Sequence, residues 1–187
     1  MDQSFLGDSY DLVKRFLAEN LSSIAPIYAD EAFIPEEIRE VYTKITRIPI
    51  FHPSVAHPFA IFLDPCTGIP SPNNAARKPT RQHAPLPFIT EIFETYRPEF
   101  LICFDQSYSR GRNKESCMEE KRNALTTKGL CAFYYSSHAN FLFVSRSKRI
   151  IDSIKKQLLD LGIPGERIKP NEQSPEEPDA PEMDHRA

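Results

Sequence analysis

Two uninterrupted apolar blocks stand out along the chain, Phe59-Ala60-Ile61-Phe62-Leu63 and Phe100-Leu101-Ile102-Cys103-Phe104. Each predicts a strand buried on both faces. Each also delivers a carboxylate into a turn: Asp64 opens Asp64-Pro65-Cys66-Thr67-Gly68, and Asp105 opens Asp105-Gln106-Ser107. Between them, Phe88, Ile89, Ile92, Phe93 and Tyr96 recur at helical spacing from about Pro87. Strand, helix, strand is the grammar of a parallel pair, which places both carboxylates on one sheet edge. In open α/β sheets that edge is where ligands bind.

The remaining pattern fills in around this pair. Leu12, Val13, Phe16, Leu17, Leu21 and Ile24 form a helical stripe, capped by Asp8 or Ser9, with Asp11 in the first turn and Lys14 outside the stripe. Ile24 to Tyr28 is a strand candidate, followed by a helix opened by Pro35 through Ile38, Val41, Tyr42 and Ile45. Arg47-Ile48-Pro49-Ile50-Phe51 reads as an edge strand, since its proline forfeits a ladder bond. A helix over Cys117 to Lys128 ends at Gly129. Cys131 to Tyr135 and Asn140 to Val144 then flank the polar tip Ser136-Ser137-His138-Ala139, a hairpin-like pair. Ser147 caps a last helix through Ile150, Ile151, Ile154, Leu158 and Leu161, closed by Gly162.

The 187 residues suit a single α/β domain over 1–169, with 170–187 an acidic, disordered tail whose composition cannot offset chain entropy. From Asn171 onward there are six acids and one base, so removing that net −5 from the chain's −3 leaves the body near +2. Mild basicity permits a polyanionic ligand. Cys66, Cys103, Cys117 and Cys131 show no C-x-x-C spacing and read as free thiols of a reducing cytoplasm. No apolar run reaches the roughly 18 residues of a membrane span, and the N-terminus lacks an export signal. The expectation is therefore a cytoplasmic protein without a membrane partner, with oligomeric state left open.

Asp64 and Asp105 at adjacent strand ends form a candidate Mg²⁺ or Mn²⁺ site, or else two turn caps. Each is followed by basic residues: Arg77, Lys78 and Arg81 in one loop, and Arg110, Arg112 and Lys114 in the other. Such loops either gather phosphates or are simply solvated. His138 in its serine-rich tip is a candidate general acid or base, or a turn histidine. No glycine lies between Gly7 and Gly68, so the turn after the first strand lacks the usual close-approach loop for a nucleotide. S-adenosylmethionine is accordingly not expected.

Four motifs, Gly7-Asp8-Ser9-Tyr10-Asp11-x-x-Lys14, Leu63-Asp64-Pro65-x-Thr67-Gly68, Phe104-Asp105-Gln106-Ser107-x-x-Arg110-Gly111 and Tyr135-x-Ser137-His138-Ala139, together resemble an uncharacterised family of bacterial proteins. More distantly, the layout is similar to the adenine methyltransferases of ribosomal RNA. Those carry a Gly-x-x-x-Asp-x-x-Lys helix, an Asp-Pro-Pro-Tyr turn after a buried strand, and a closing antiparallel pair. Here Cys66-Thr67 stands in place of the base-holding Pro-Tyr. The fold this implies is a mostly parallel, Rossmann-like (methyltransferase-like) sheet with an antiparallel pair near the C-terminus. The favoured function is a hydrolase acting on nucleic acid or a phosphorylated nucleotide. In it Asp64 and Asp105 hold the metal, His138 transfers protons, and Lys14, Arg110, Arg112, Gln106, Ser107 and Ser137 contact substrate. The alternatives are a catalytically silent nucleic-acid or protein binding module, and a degenerate methyltransferase.

Overall fold

The computed structural model describes residues 6–72, 78–108 and 112–169. The expected acidic tail, together with Arg77 and Arg110, lies outside those residues. Six strands form one sheet in the order β1-β2-β3-β5-β4-β6, with β1 at Ile27–Ala29, β2 at Ala60–Leu63, β3 at Leu101–Phe104, β4 at Cys131–Ser136, β5 at Asn140–Ser145 and β6 at Ile168–Lys169. β1, β2 and β3 pair in parallel; the pairs β3–β5, β5–β4 and β4–β6 are antiparallel. The protein is thus α/β with an open mixed sheet, having two parallel pairs rather than a mostly parallel ladder. The reason is local. The turn at Ser137-His138-Ala139 is too short for a crossover, so β5 folds back antiparallel and inserts itself between β3 and β4.

The helices follow the hydrophobic pattern, with one instructive exception. α1 (Ser9–Leu21) begins where Asp8 accepts the Tyr10 and Asp11 amides at 2.8 and 3.1 Å. Its buried positions are Asp11, Lys14, Leu17, Ala18 and Leu21, whereas Leu12, assigned to the apolar stripe, is 63% exposed. The helix is rotated so that a polar pair lies in line with the apolar contacts, because that pair is needed inside. α2 (Arg39–Thr46) follows a short 3-10 turn at Glu36–Ile38. Arg47 ends it in the left-handed region at φ 62°.

The expected edge strand through Pro49 is a single bridge, Ala29 to Ile50. The Ala29 amide donates to the Pro49 carbonyl, and the Phe51 amide donates to the Ala29 carbonyl, both at 2.8 Å. Proline costs nothing there because the bonds use its carbonyl and the Phe51 amide, not the N–H that proline lacks. α3 (Leu86–Thr95), α4 (Lys114–Thr126, capped by Asn113) and α5 (Lys148–Asp160, capped by Ser147) complete the layers.

Register decides what the sheet edge presents. Leu63 is level with Cys103, so Asp64 is level with Phe104, one residue short of Asp105. Side chains alternate faces along a strand, and a one-residue offset puts neighbours on opposite faces. Phe104 shares its face with Phe141, Phe62 and Tyr135, whose rings lie 5.8–6.3 Å apart about Phe141. Cys103 and Leu142 share the other face with Tyr134.

Candidate functional site

The carboxyl ends of β2 and β3 and the β4–β5 turn carry two separate clusters, one on each face. On the Phe104 face, Lys14 of α1 reaches across to β2. Its Nζ donates to Asp11 Oδ1 and to Asp64 Oδ2, both at 2.8 Å, and lies 5.6 Å above the Phe104 ring. Asp11 Oδ2 also accepts the Gly7 amide at 2.7 Å. Lys14 is only 3% exposed, as is Asp64, and Asp11 is fully buried.

Three charges so enclosed stand or fall together, since each would be strongly destabilising alone. Burial works against the Lys14 ammonium, but the adjacent Asp64 and Asp11 charges outweigh it and hold its pKa above the ordinary lysine value. Asp11 is pushed up by burial, which exceeds the lowering by the Lys14 charge and hydrogen bonds. The Tyr42 hydroxyl of α2 is fully buried and faces the same acids. Burial first, then the Asp64 and Asp11 charges, push its pKa well up.

On the opposite face, Lys121 of α4 donates to both Asp105 oxygens at 3.0 and 2.8 Å and to the Ser107 carbonyl at 2.6 Å. Those three contacts match the three protons of an ammonium. Asp105 further accepts the Ile69 and Ser107 amides and the Tyr134 hydroxyl at 2.9, 3.1 and 2.8 Å. Both members of the pair are buried. The Tyr134 hydroxyl is raised by burial and then by the Asp105 charge. Gly68 threads this cluster at φ +128°, and a Cβ there would stand 2.4 Å from Asp105 Oδ1. Asp105 is therefore the knot that ties the β2 loop, the β3 loop, α4 and β4 together.

The sequence-derived residues are thus divided. Lys14, Asp64, Gln106 and His138 gather on the Phe104 face, while Asp105 and Ser107 belong to the Lys121 cluster. Asp64 and Asp105 thus lie on opposite faces of the sheet, each bound to its own buried lysine. Among the described residues no group of three or more His, Cys, Asp or Glu side chains is placed to hold a metal ion.

Arg112 is engaged in a two-point ion pair with Glu120 at the protein surface. Ser137 Oγ donates to the Ala139 carbonyl at 3.0 Å and shapes the turn. His138 is exposed, and its ring stacks on Tyr10 at 5.1 Å between centroids and 14° between planes. Gln106 Nε2 donates to the His138 carbonyl at 3.0 Å, and Asn140 Nδ2 donates to Gln106 Oε1 at 3.4 Å.

Asp11, Tyr42, Lys121, Tyr134, Tyr10 and Asn140 were not legible as site residues. For Asp11 there was a signal, its three-residue spacing to Lys14 in phase with Leu17, Ala18 and Leu21. For Lys121 and Tyr134, partnership depends on strand order, which no spacing in the sequence encodes.

The chain matches no known protein-family model, no curated protein and no solved structure. No helix among the described residues is long and apolar enough to cross a membrane.

Proposed function

We propose that the chain is a binding module that takes nucleic acid or a phosphorylated nucleotide at the carboxyl edge of β2 and β3, without hydrolysing it. The observation that carries this reading is the charge balance of that edge. The described loop residues after β2 include the exposed bases Lys78 and Arg81, and Arg112 after β3 is paired with Glu120, while the two acids at the strand ends, Asp64 and Asp105, are buried against lysines. An anion meeting the loop after β2 encounters Lys78 and Arg81 and no exposed carboxylate among its described residues. A small cavity of about 90 Å³ beside Ser107, Tyr108 and Lys121 is closed on its outer side by the Arg112–Glu120 pair.

The hydrolase reading asks Asp64 and Asp105 to give up their lysines to a metal, which would leave each ammonium buried without a counter-charge. A degenerate methyltransferase is the second reading. Its support is the antiparallel β4–β5 pair that follows the parallel strands, the feature of layout the chain shares with the ribosomal RNA adenine methyltransferases. Its cofactor end is less favourable: the turn after β1 is Asp30-Glu31-Ala32-Phe33, with a side chain at every position and Asp30 accepting the Ala32 amide.

The test is fluorescence anisotropy of a labelled 12-nucleotide single strand in EDTA across a salt series, with strand integrity followed on a gel after adding Mn²⁺. Binding with a salt slope that falls by roughly 1.4 when Lys78 and Arg81 are both changed to alanine supports the module, given about 0.7 per phosphate contact on single strands. Absence of binding overturns it. Metal-dependent cleavage lost in Asp64→Asn would establish the hydrolase instead.

A further inference from the structure

The stacked pair of Tyr10 and His138 has no role in either lysine cluster, yet it is the outward end of a continuous aromatic column. Phe62 and Tyr135 flank Phe141; Phe141 meets Phe104 at 5.8 Å, Phe104 meets Tyr10 at 5.5 Å, and Tyr10 carries His138 at 5.1 Å. Phe62 and Phe141 are fully buried, Phe104 is 6% exposed, Tyr10 is half-buried, and His138 is exposed. The column thus runs from the centre of the sheet to solvent at the carboxyl edge. An imidazole on a turn tip would ordinarily swing freely, and holding a side chain in one rotamer costs entropy. Here Tyr10 backs one face of the ring. The Gln106 amide grips the backbone of the same residue, and the Asn140 amide braces Gln106 in turn. No other aromatic ring lies against His138 among the described residues.

We infer that the His138 ring, backed by Tyr10, is a platform on which one unpaired base of a single-stranded nucleic acid stacks. This rests on the binding reading above and narrows it. The His138 turn is tied through Gln106 to Thr67, and the Arg81-Gln82 segment pairs with Cys66 and Thr67, so a flat, solvent-facing ring and the basic loop after β2 share one edge; a π-face for a base together with cations for its phosphates is how strand-binding surfaces work without reading sequence. A duplex offers no free base face along its length, so the site selects against paired strands. The amides of Gln106 and Asn140 are spent on each other and on the turn, so the platform holds a base without discriminating strongly among the four.

The experiment compares Kd by anisotropy for a labelled 12-nucleotide single strand and for the same sequence as a duplex, using wild type, His138→Ala and His138→Phe. His138 is exposed and its side chain makes no hydrogen bond among the described residues, so the melting temperatures of both variants serve as a control that the fold is kept. We expect single strand to be preferred over duplex by at least about tenfold. His138→Ala should weaken single-strand binding by roughly 5- to 150-fold with an unchanged salt slope, because stacking and not phosphate contact is lost. His138→Phe, which keeps the ring, should stay within about threefold of wild type. Wild-type affinity in His138→Ala, or equal loss in both variants, overturns the platform while leaving the binding reading intact. Failure of wild type to bind any strand overturns both.

Discussion

Replacing Lys14 by methionine removes one charge from a buried triad and keeps most of the side-chain volume. The wild-type ammonium sits 2.8 Å from each of Asp11 and Asp64. Without it, two carboxylates are enclosed, with the Gly7 amide on Asp11 and the Tyr42 hydroxyl nearby among the described residues. Breaking a buried pair by deleting one partner costs about 3–5 kcal/mol. For a domain of this size that corresponds to a fall in Tm of roughly 6–20 °C.

The pH dependence has a definite sign. Asp11 already has a folded-state pKa above its unfolded value, so its ionisation works against folding above that pKa, and the penalty is relieved as pH falls through it. Losing Lys14 removes the charge and hydrogen bond that restrain this rise, so the penalty grows in the variant. The deficit of Lys14→Met relative to wild type should therefore be largest near pH 7 and shrink on acidification towards pH 5. Urea unfolding at a series of pH values measures both. A deficit below about 1 kcal/mol at pH 7, or one that does not change with pH, would refute the claim that Lys14 is the counter-charge of a buried acid pair.

Asp105→Asn should lose about 3–5 kcal/mol by urea unfolding, since it strands the buried Lys121 ammonium and presents an amide donor where four donors already converge. Gly68→Ala should abolish the soluble folded state or cost more than about 4 kcal/mol, because the new Cβ meets backbone atoms of Asp105 and Gln106 at 2.7 and 2.8 Å and the position needs φ +128°. Circular dichroism on the purified variant decides it. Asp8→Ala should cost about 1 kcal/mol through loss of the α1 cap, read as a small drop in the urea midpoint. Mg²⁺ or Mn²⁺ at millimolar concentration should leave the Tm of the wild type unchanged, because each acid is already neutralised; a rise of several degrees that vanishes in Asp64→Asn would mean the carboxylates exchange lysine for metal.

Much of the scaffold was legible because it rests on local patterns. The blocks around Ala60 and Leu101 read as buried strands on composition alone, and Asp8, Ser147, Gly129 and Gly162 marked helix boundaries through capping and left-handed geometry. The site was less legible, and register is the physical reason. Asp64 and Asp105 each follow five apolar residues and look equivalent in sequence, yet a one-residue stagger between β2 and β3 sends them to opposite faces. Lys14 reads in sequence as a residue outside the apolar stripe and a candidate substrate contact, and Lys121 carries no signal at all, since nothing within either helix announces a buried acid at a strand end 50 or 16 residues away. Leu12 was placed inside for the same reason: a hydrophobic stripe counts apolar positions and cannot anticipate that an ion pair will claim the inward face.

The central claim is that the carboxyl edge of β2 and β3 is a metal-independent binding surface for an anionic strand. Its most direct test is amide chemical-shift mapping by NMR during titration of an unlabelled single-stranded 12-mer in EDTA. Shifts confined to the loops after β2 and β3 and to the β4–β5 turn, including Thr67, Gln106, Ser107 and His138, are the predicted result. Shifts located elsewhere, or none until a divalent cation is supplied, would contradict it.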